Sequence, residues 1–204
     1  MNRILPLLFA VTLCAPAVQA QETPKPEPKA EAGAAGRAER RAERKSRHRR
    51  EFALQAQVNL PLRDLKERLD GRTGLGLGAT WTHEHRDGHA SRTRLEWNVL
   101  PEGPAVAGVR TQVNNYTLVF DHLWHCGGKA EGPYLVAGLG AVRWFMSETG
   151  PAASASSHTT KLTVQGGAGW RFSPSFGAEV RYAVSSMDRT LDANLVQGCL
   201  TFRF

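Results

Sequence analysis

The sequence predicts an all-β protein: an eight-stranded antiparallel up-and-down transmembrane β-barrel behind a disordered N-terminal leader. Three observations predict it. The last residues alternate, with Val196, Leu200, Phe202 and Phe204 on one parity and Gly198 filling the remaining place. The other parity carries Gln197, Cys199, Thr201 and Arg203, with Leu195 as its one apolar member. Period two makes one strand face apolar and the other polar. Secondly, an export signal stands at the start of the chain. Thirdly, the residues between alternate in strand-length segments, and no later stretch approaches the roughly 18–20 apolar residues of a transmembrane helix. A closed barrel with its apolar face outward satisfies every backbone group in hydrocarbon.

Residues 1–20 read as the signal peptide. Arg3 is its short basic region, Ile4 to Ala15 its apolar run, and Val18-Gln19-Ala20 its small-residue cleavage site. Cys14 lies inside the run, but the preceding Leu13 is not small, which argues against a lipid anchor. Cys126 and Cys199 remain. An oxidising compartment permits pairing, yet they fall on strands that are not sequence neighbours.

Residues 21–50 contain no aromatic residue and almost nothing large and apolar, so they cannot offset their ordering entropy. They read as a disordered basic periplasmic linker. Arg37, Arg40, Arg41, Arg44, Lys45, Arg47, Arg49 and Arg50, against Glu39 and Glu43, give a net of +6 out of +7 for the chain. One reading is a solvated leader that keeps the exported chain soluble. The sharper one is attraction to anionic phospholipid or to peptidoglycan carboxylates. Nucleic acid fits the charge, but the export signal argues against it.

Residues 51–204 form the barrel domain. The first strand covers about Phe52 to Leu60. Pro61 breaks it, and Leu62, Leu65 and Leu69 then stand at helical spacing among charges, predicting a short amphipathic helix. The second strand, about Thr73 to His85, puts Leu75, Leu77, Ala79 and Trp81 on one face, and Arg86-Asp87-Gly88 is a tight turn. The third, His89 to Val99, sets Thr93, Leu95 and Trp97 against Arg92, Arg94 and Glu96. The fourth, Val109 to His125, places Tyr116, Leu118, Phe120 and Trp124 together. The fifth, about Pro133 to Ser147, is assigned an apolar face of Tyr134, Val136, Val142 and Trp144. The sixth, His158 to Phe172, has Leu162, Val164, Ala168, Trp170 and Phe172, before a Ser173-Pro174-Ser175 turn. The seventh, Phe176 to Ser186, sets Phe176, Ala178, Val180, Tyr182 and Val184 against Gly177, Glu179 and Arg181, and a loop near Asp188-Arg189 leads into the eighth.

Links after the first, third and fifth strands are long, and two of those after the second, fourth and sixth are very short. With both barrel ends in the periplasm, this is the outer-membrane pattern. Trp97, Tyr116, Trp144 and Trp170 are expected to face lipid. The inward parity carries Arg92, Arg94, Glu96, Arg171, Glu179, Arg181 and Arg203, with Asn98, Thr163, Gln165 and Thr201. Buried charges are tolerated only when paired and hydrogen-bonded, so these residues are expected to form an internal ion-pair network that fills the barrel.

Leu200-Thr201-Phe202-Arg203-Phe204, Tyr134-Leu135-Val136-Ala137-Gly138-Leu139-Gly140 and Phe176-Gly177-Ala178-Glu179-Val180-Arg181-Tyr182 together resemble a known family. This is the eight-stranded outer-membrane β-barrel domain of OmpA-, OmpX- and OmpW-like proteins. The resemblance covers 51–204. It implies residence in outer-membrane lipid, and it implies that Leu200, Phe202 and Phe204 form the signal read by the barrel-assembly machinery. It does not imply one activity, and the role expected is structural or interactive (envelope integrity, surface contact).

The alternative is a barrel that modifies lipid A or handles small solutes. The lipid A deacylases that resemble this chain use a His-x-Ser element on a late strand. Ala183 stands where that histidine would be, ahead of Ser185 and Ser186, and a serine without a neighbouring base is weakly nucleophilic. His83, His85 and His89 flank one turn, but a zinc site needs three or four converging ligands, and interfacial histidines are the plainer reading. No phosphate loop, Cys-x-x-Cys pair or Ser-His-Asp order is present. The sequence therefore assigns no catalytic residue, metal or cofactor.

Overall fold

The structure, a computed structural model, describes residues 50–204 except 86–87, 106–107, 128–130, 152 and 188–190. The strands are β1 (Arg50–Pro61), β2 (Gly74–Glu84), β3 (His89–Leu100), β4 (Arg110–His125), β5 (Gly132–Thr149), β6 (Ser154–Arg171), β7 (Phe176–Val184) and β8 (Leu195–Arg203). They form one closed antiparallel barrel in chain order, and β8 returns to β1 from Ala53↔Arg203 to Pro61↔Leu195. Closure leaves no open sheet edge where all eight strands pair. The sequence-predicted helix is α1 (Arg63–Arg68), in the connection after β1, with Leu65 and Leu69 fully buried beneath it. The signal peptide, the leader and its basic residues from Arg37 to Arg49 lie outside the described residues, as do Arg86, Asp87, Asp188 and Arg189. Arg50 opens β1 and is exposed.

The barrel has a turn end, where β2–β3, β4–β5 and β6–β7 connect, and a loop end, where β1–β2, β3–β4, β5–β6 and β7–β8 connect. At the turn end, Ser173 accepts from the Phe176 N–H through its side chain (3.1 Å), and the Phe172 N–H donates to the Phe176 carbonyl (3.0 Å). Gly88 closes the β2–β3 turn at φ 76, a left-handed conformation that residues with a Cβ adopt only under strain.

Within the closed barrel the strands expose one face and bury the other. Leu75, Leu77, Leu95, Phe120, Leu139, Leu162, Val180 and Phe202 stand on the outside, whereas Gln55, Arg94, Glu96, Asn115, Glu179 and Arg181 are buried within. This inverts a soluble protein. An apolar side chain gains nothing by leaving hydrocarbon for an apolar core, so the interior is free to be polar.

β5 departs from the expectation. Tyr134, Val136, Val142 and Trp144 point inward, with Trp144 only 2% exposed, and the outward face is Leu135, Ala137, Leu139, Ala141, Arg143 and Phe145. Trp97, Tyr116 and Trp170 do face outward; Trp144 does not. Both parities of β5 are apolar, so alternation there carries no sign of facing. The interior positions are explained by height: Val142 and Trp144 reach the loop-end core, and Tyr134 and Val136 pack with Ala90 and Leu123 near the turn end.

The wall is uneven in height. β5 and β6 pair along their whole length, from Gly132↔Arg171 to Thr149↔Ser154. β7 reaches only to Val164 on β6, and β3 only to Val113 on β4. The loop-end parts of β4, β5 and β6 therefore stand above the barrel as a three-stranded wing. Along Ser154–Thr163 the wing's outer edge has no strand partner among the described residues.

Candidate functional site

The inward residues stack in layers. Nearest the turn end, Arg171 meets Glu51 (2.6 Å) and Glu84 (2.9 Å), and Arg203 lies 3.8 Å from Glu51. At mid-height a cluster joins β3, β4 and β7. Arg92 grips Glu179 through both terminal nitrogens (2.9 and 3.0 Å) and donates from Nε to Asp121 (2.8 Å). Arg94 pairs with Asp121 and Glu96 (both 3.1 Å) and donates to Gln165 (2.7 Å). Arg181 pairs with Glu96 (2.7 Å) and Glu179 (3.3 Å), and reaches Gln57 and the Cys199 sulfur (both 2.9 Å). Tyr134 donates its hydroxyl to Glu179 (2.8 Å). The arginines Arg92, Arg94 and Arg181 are balanced one for one by Glu96, Asp121 and Glu179, so the cluster is neutral as a unit. The Arg92–Glu179 pair has the fork-to-carboxylate geometry in which a buried guanidinium is best satisfied.

Above it lies a layer of amides. Asn98 accepts from Gln57 and from Asn59 (2.8 Å) and donates to Asn115 (2.9 Å), while Gln197 donates to Asn59 (2.9 Å). The loop end is closed by an apolar core of Leu65, Leu69, Leu100, Val113, Val142, Trp144, Met187, Leu191 and Leu195. Two loops are latched over it: the Leu62 N–H donates to the Asn194 carbonyl (2.9 Å), and Arg63 pairs with Asp192 (2.8 Å). That hydrogen bond to Asp192 raises the Arg63 guanidinium above its ordinary pKa.

Inward glycines make room for the large polar groups. A Cβ on Gly138 would collide with the Asp121 carboxylate, and one on Gly169 with the Tyr134 ring. Arg92, Arg94, Glu96, Glu179 and Arg181 are thus brought into one cluster. Arg171 and Arg203 fall into the separate layer below. Asp121, Glu51 and Glu84 were not singled out from the sequence. Asp121 could have been, because Tyr116, Leu118, Phe120 and Trp124 fix its parity as inward; its apolar neighbours Val119 and Leu123 dilute the alternation. Leu200, Phe202 and Phe204 line the outside of β8, where Phe204 stacks on Phe52 and Phe202 meets Phe176.

Of the two serines that follow Ala183, Ser185 has its proton committed to a backbone carbonyl. The Ser185 hydroxyl is buried and donates to the Ala193 carbonyl (2.9 Å), and Ala183 sits in the apolar core.

No protein-family model and no curated protein matches the sequence. Solved structures do match. The chain is similar to Ail, the attachment invasion locus protein of Yersinia pestis, at TM-score 0.58 and 14% identity, over 78% of this chain and 99% of that one. It is similar to the N-terminal β-barrel domain of Pseudomonas aeruginosa OprF at TM-score 0.55 and 12% identity, over 78% and 100%. Neisserial surface protein A follows at TM-score 0.51 and 10% identity, over 76% and 97%. The fold is that of the eight-stranded outer-membrane barrels. At these identities the likeness concerns the fold alone. An outer-membrane barrel of eight strands has room inside only for its own side chains, and here buried inward residues occupy every level from the turn end to the loop end.

Proposed function

We propose that this chain is an outer-membrane barrel whose work is contact at the cell surface and support of the envelope, without transport or catalysis. The observation that carries this reading is the wing of β4, β5 and β6, mounted on a barrel with a filled interior. Its unpaired edge offers backbone N–H and C=O groups to a partner strand. The turn end faces the periplasm and the loop end the exterior, the orientation that places long connections outside. Ail, one of the similar structures, is described as an attachment invasion locus protein and has been solved with the heparin analogue sucrose octasulfate, which supports a surface-contact role for the shared fold.

Two further parts belong to this reading. Leu200, Phe202 and Phe204 are the contact for the barrel-assembly machinery. Residues 1–20 direct export, and residues 21–50 lie in the periplasm, where Arg37 to Arg50 attract anionic phospholipid or peptidoglycan through a salt-screened field of about 8–10 Å range.

The test is carried out on cells making the full chain. The protein should fractionate with outer membranes, run with heat-dependent mobility on unboiled gels, and give no steady conductance in planar bilayers. Thr160→Pro removes a backbone donor from the free edge of the wing and should lower attachment of these cells to surfaces while leaving heat-dependent mobility intact. Stable channels, lipid A acylation that changes unless Ser185→Ala or Ser186→Ala is introduced, or attachment indifferent to deletion of the wing would overturn the proposal.

A further inference from the structure

Register on the outside of β1–β4 sets one polar row at the turn end. Arg50 pairs with His83, His83 with Ser91, and Ser91 with His122. The next row toward the loop end is Phe52, Trp81, Thr93 and Phe120, and the one after is Leu54, Ala79, Leu95 and Leu118. A single row therefore separates a hydrocarbon-type wall from imidazole and guanidinium. His85 Nε2 lies 2.7 Å from Ser91 Oγ, and His89 Nδ1 lies 3.1 Å from His122 Nε2. The His122 ring meets Trp124 edge-on at 4.6 Å. On the opposite wall the described turn-end surface is formed by Phe172, Phe176 and Phe202.

The polar row runs on across β5 and β6 at Ala137 and Gly166, where side chains almost vanish. A depression of about 790 Å³ opens beside this stretch, along Ala137 and Gly138. Trp81, Phe120, Leu139 and Val164 wall it, and His83, Ser91 and His122 form its polar end. Arg92, Asp121 and Gln165 reach its floor, with the Asp121 carboxylate held by Arg92 and Arg94. No described outward residue of β1–β4 is a carboxylate, and the residues just before Arg50 include Arg44, Lys45, Arg47 and Arg49.

We infer that this trough binds one anionic phospholipid of the leaflet at the turn end, its phosphodiester on His83 and His122, with Arg50 beside His83, and one acyl chain over Ala137, Leu139 and Val164. Guanidinium and imidazole N–H groups donate to the phosphate oxygens. Trp81 and Trp124 sit where amphipathic rings mark the interface. The apolar walls of the trough separate this site from the diffuse attraction of the basic leader, which needs only charge. The inference rests on the membrane-spanning reading above.

The test uses the full-length protein in detergent micelles, titrated with phosphatidylglycerol or phosphatidylcholine, with retained lipid counted by native mass spectrometry. One phosphatidylglycerol should be held about tenfold more tightly than phosphatidylcholine, the scale of one charge-assisted hydrogen bond. His83→Ala with His122→Ala should remove that preference. Ala137→Trp should remove the adduct although every positive charge remains, and glycerol phosphate, the headgroup alone, should not compete. Equal retention of the two lipids overturns the site, as does an adduct that survives Ala137→Trp. Heat-dependent gel mobility checks folding, and His83→Gln with His122→Gln and Ala137→Leu stand in for any variant that loses it. Recovery of the protein in water without detergent would instead overturn the membrane reading itself.

Discussion

At mid-height the barrel interior is ionic, with Arg92, Arg94 and Arg181 interlocked with Glu96, Asp121 and Glu179. At the loop end it is apolar, with Leu65, Leu69, Leu100, Trp144 and Leu191 in one cluster. Every member of the ionic cluster lies on a strand, whereas Leu65, Leu69, Met187 and Leu191 come from connections. The difference follows from what surrounds each region. Where the wall meets hydrocarbon, sequestering apolar side chains inside gains nothing, and cohesion comes from paired charges and hydrogen bonds. Where loops meet water, the hydrophobic effect operates and draws a conventional core together over the barrel mouth.

The sharpest way to break this contrast is to remove one charge from the ionic cluster. Glu179→Leu strands Arg92 and Arg181 and should cost about 3–5 kcal/mol in urea unfolding from lipid vesicles. Adding Arg92→Met should cost less than the two single changes summed, because they share one network. A fully additive result would show that the cluster is not a unit. Leu69→Ala in the apolar core should cost about 3 kcal/mol, loosening the loop end through a cavity. Protease cleavage of the α1 connection should rise with it, whereas Glu179→Leu should instead disturb closure of the whole barrel. On the outer wall, Val180→Arg should cost about 2–3 kcal/mol by placing a cation in hydrocarbon, far more than Ser186→Arg near the loop end. Equal losses at the two positions would mean that β7 does not face lipid. The smallest effect is a gain: Asp70, at φ 53, should be relieved by Asp70→Gly by about 0.5–1 kcal/mol, read as a raised unfolding midpoint.

The strand count, the loop helix and the facing of most strands were legible because alternation between leucine-type and charged residues is strong on β3, β7 and β8. The facing of β5 was not, since Tyr134, Val136, Val142 and Trp144 are as apolar as Leu135 and Leu139. The arginines and glutamates of the interior were visible as an inward set, but their partners were not. Pairing of Arg92 with Glu179 joins residues 87 apart in the chain, and only closure of the barrel brings β3 and β7 to bear on the same space. The apolar core at the loop end was equally hidden, because half of it is supplied by connections whose residues follow no strand period.

β5 and β6 each contain 18 residues, which at about 3.3 Å per residue span about 60 Å. A tilted crossing needs only about 9–11 residues, so the surplus forms a mast of ordered backbone rather than a tethered loop. Its geometry is set before any partner arrives. A molecule docking on the Ser154–Thr163 edge meets strand already in extended form, and the ordering entropy that slows and weakens recognition by floppy loops has been settled when the barrel folds. In the surface-contact role proposed above, recognition through such a mast should be quick to form and tolerant of changes in side-chain identity along the edge, since the groups presented there are peptide groups common to every residue but proline.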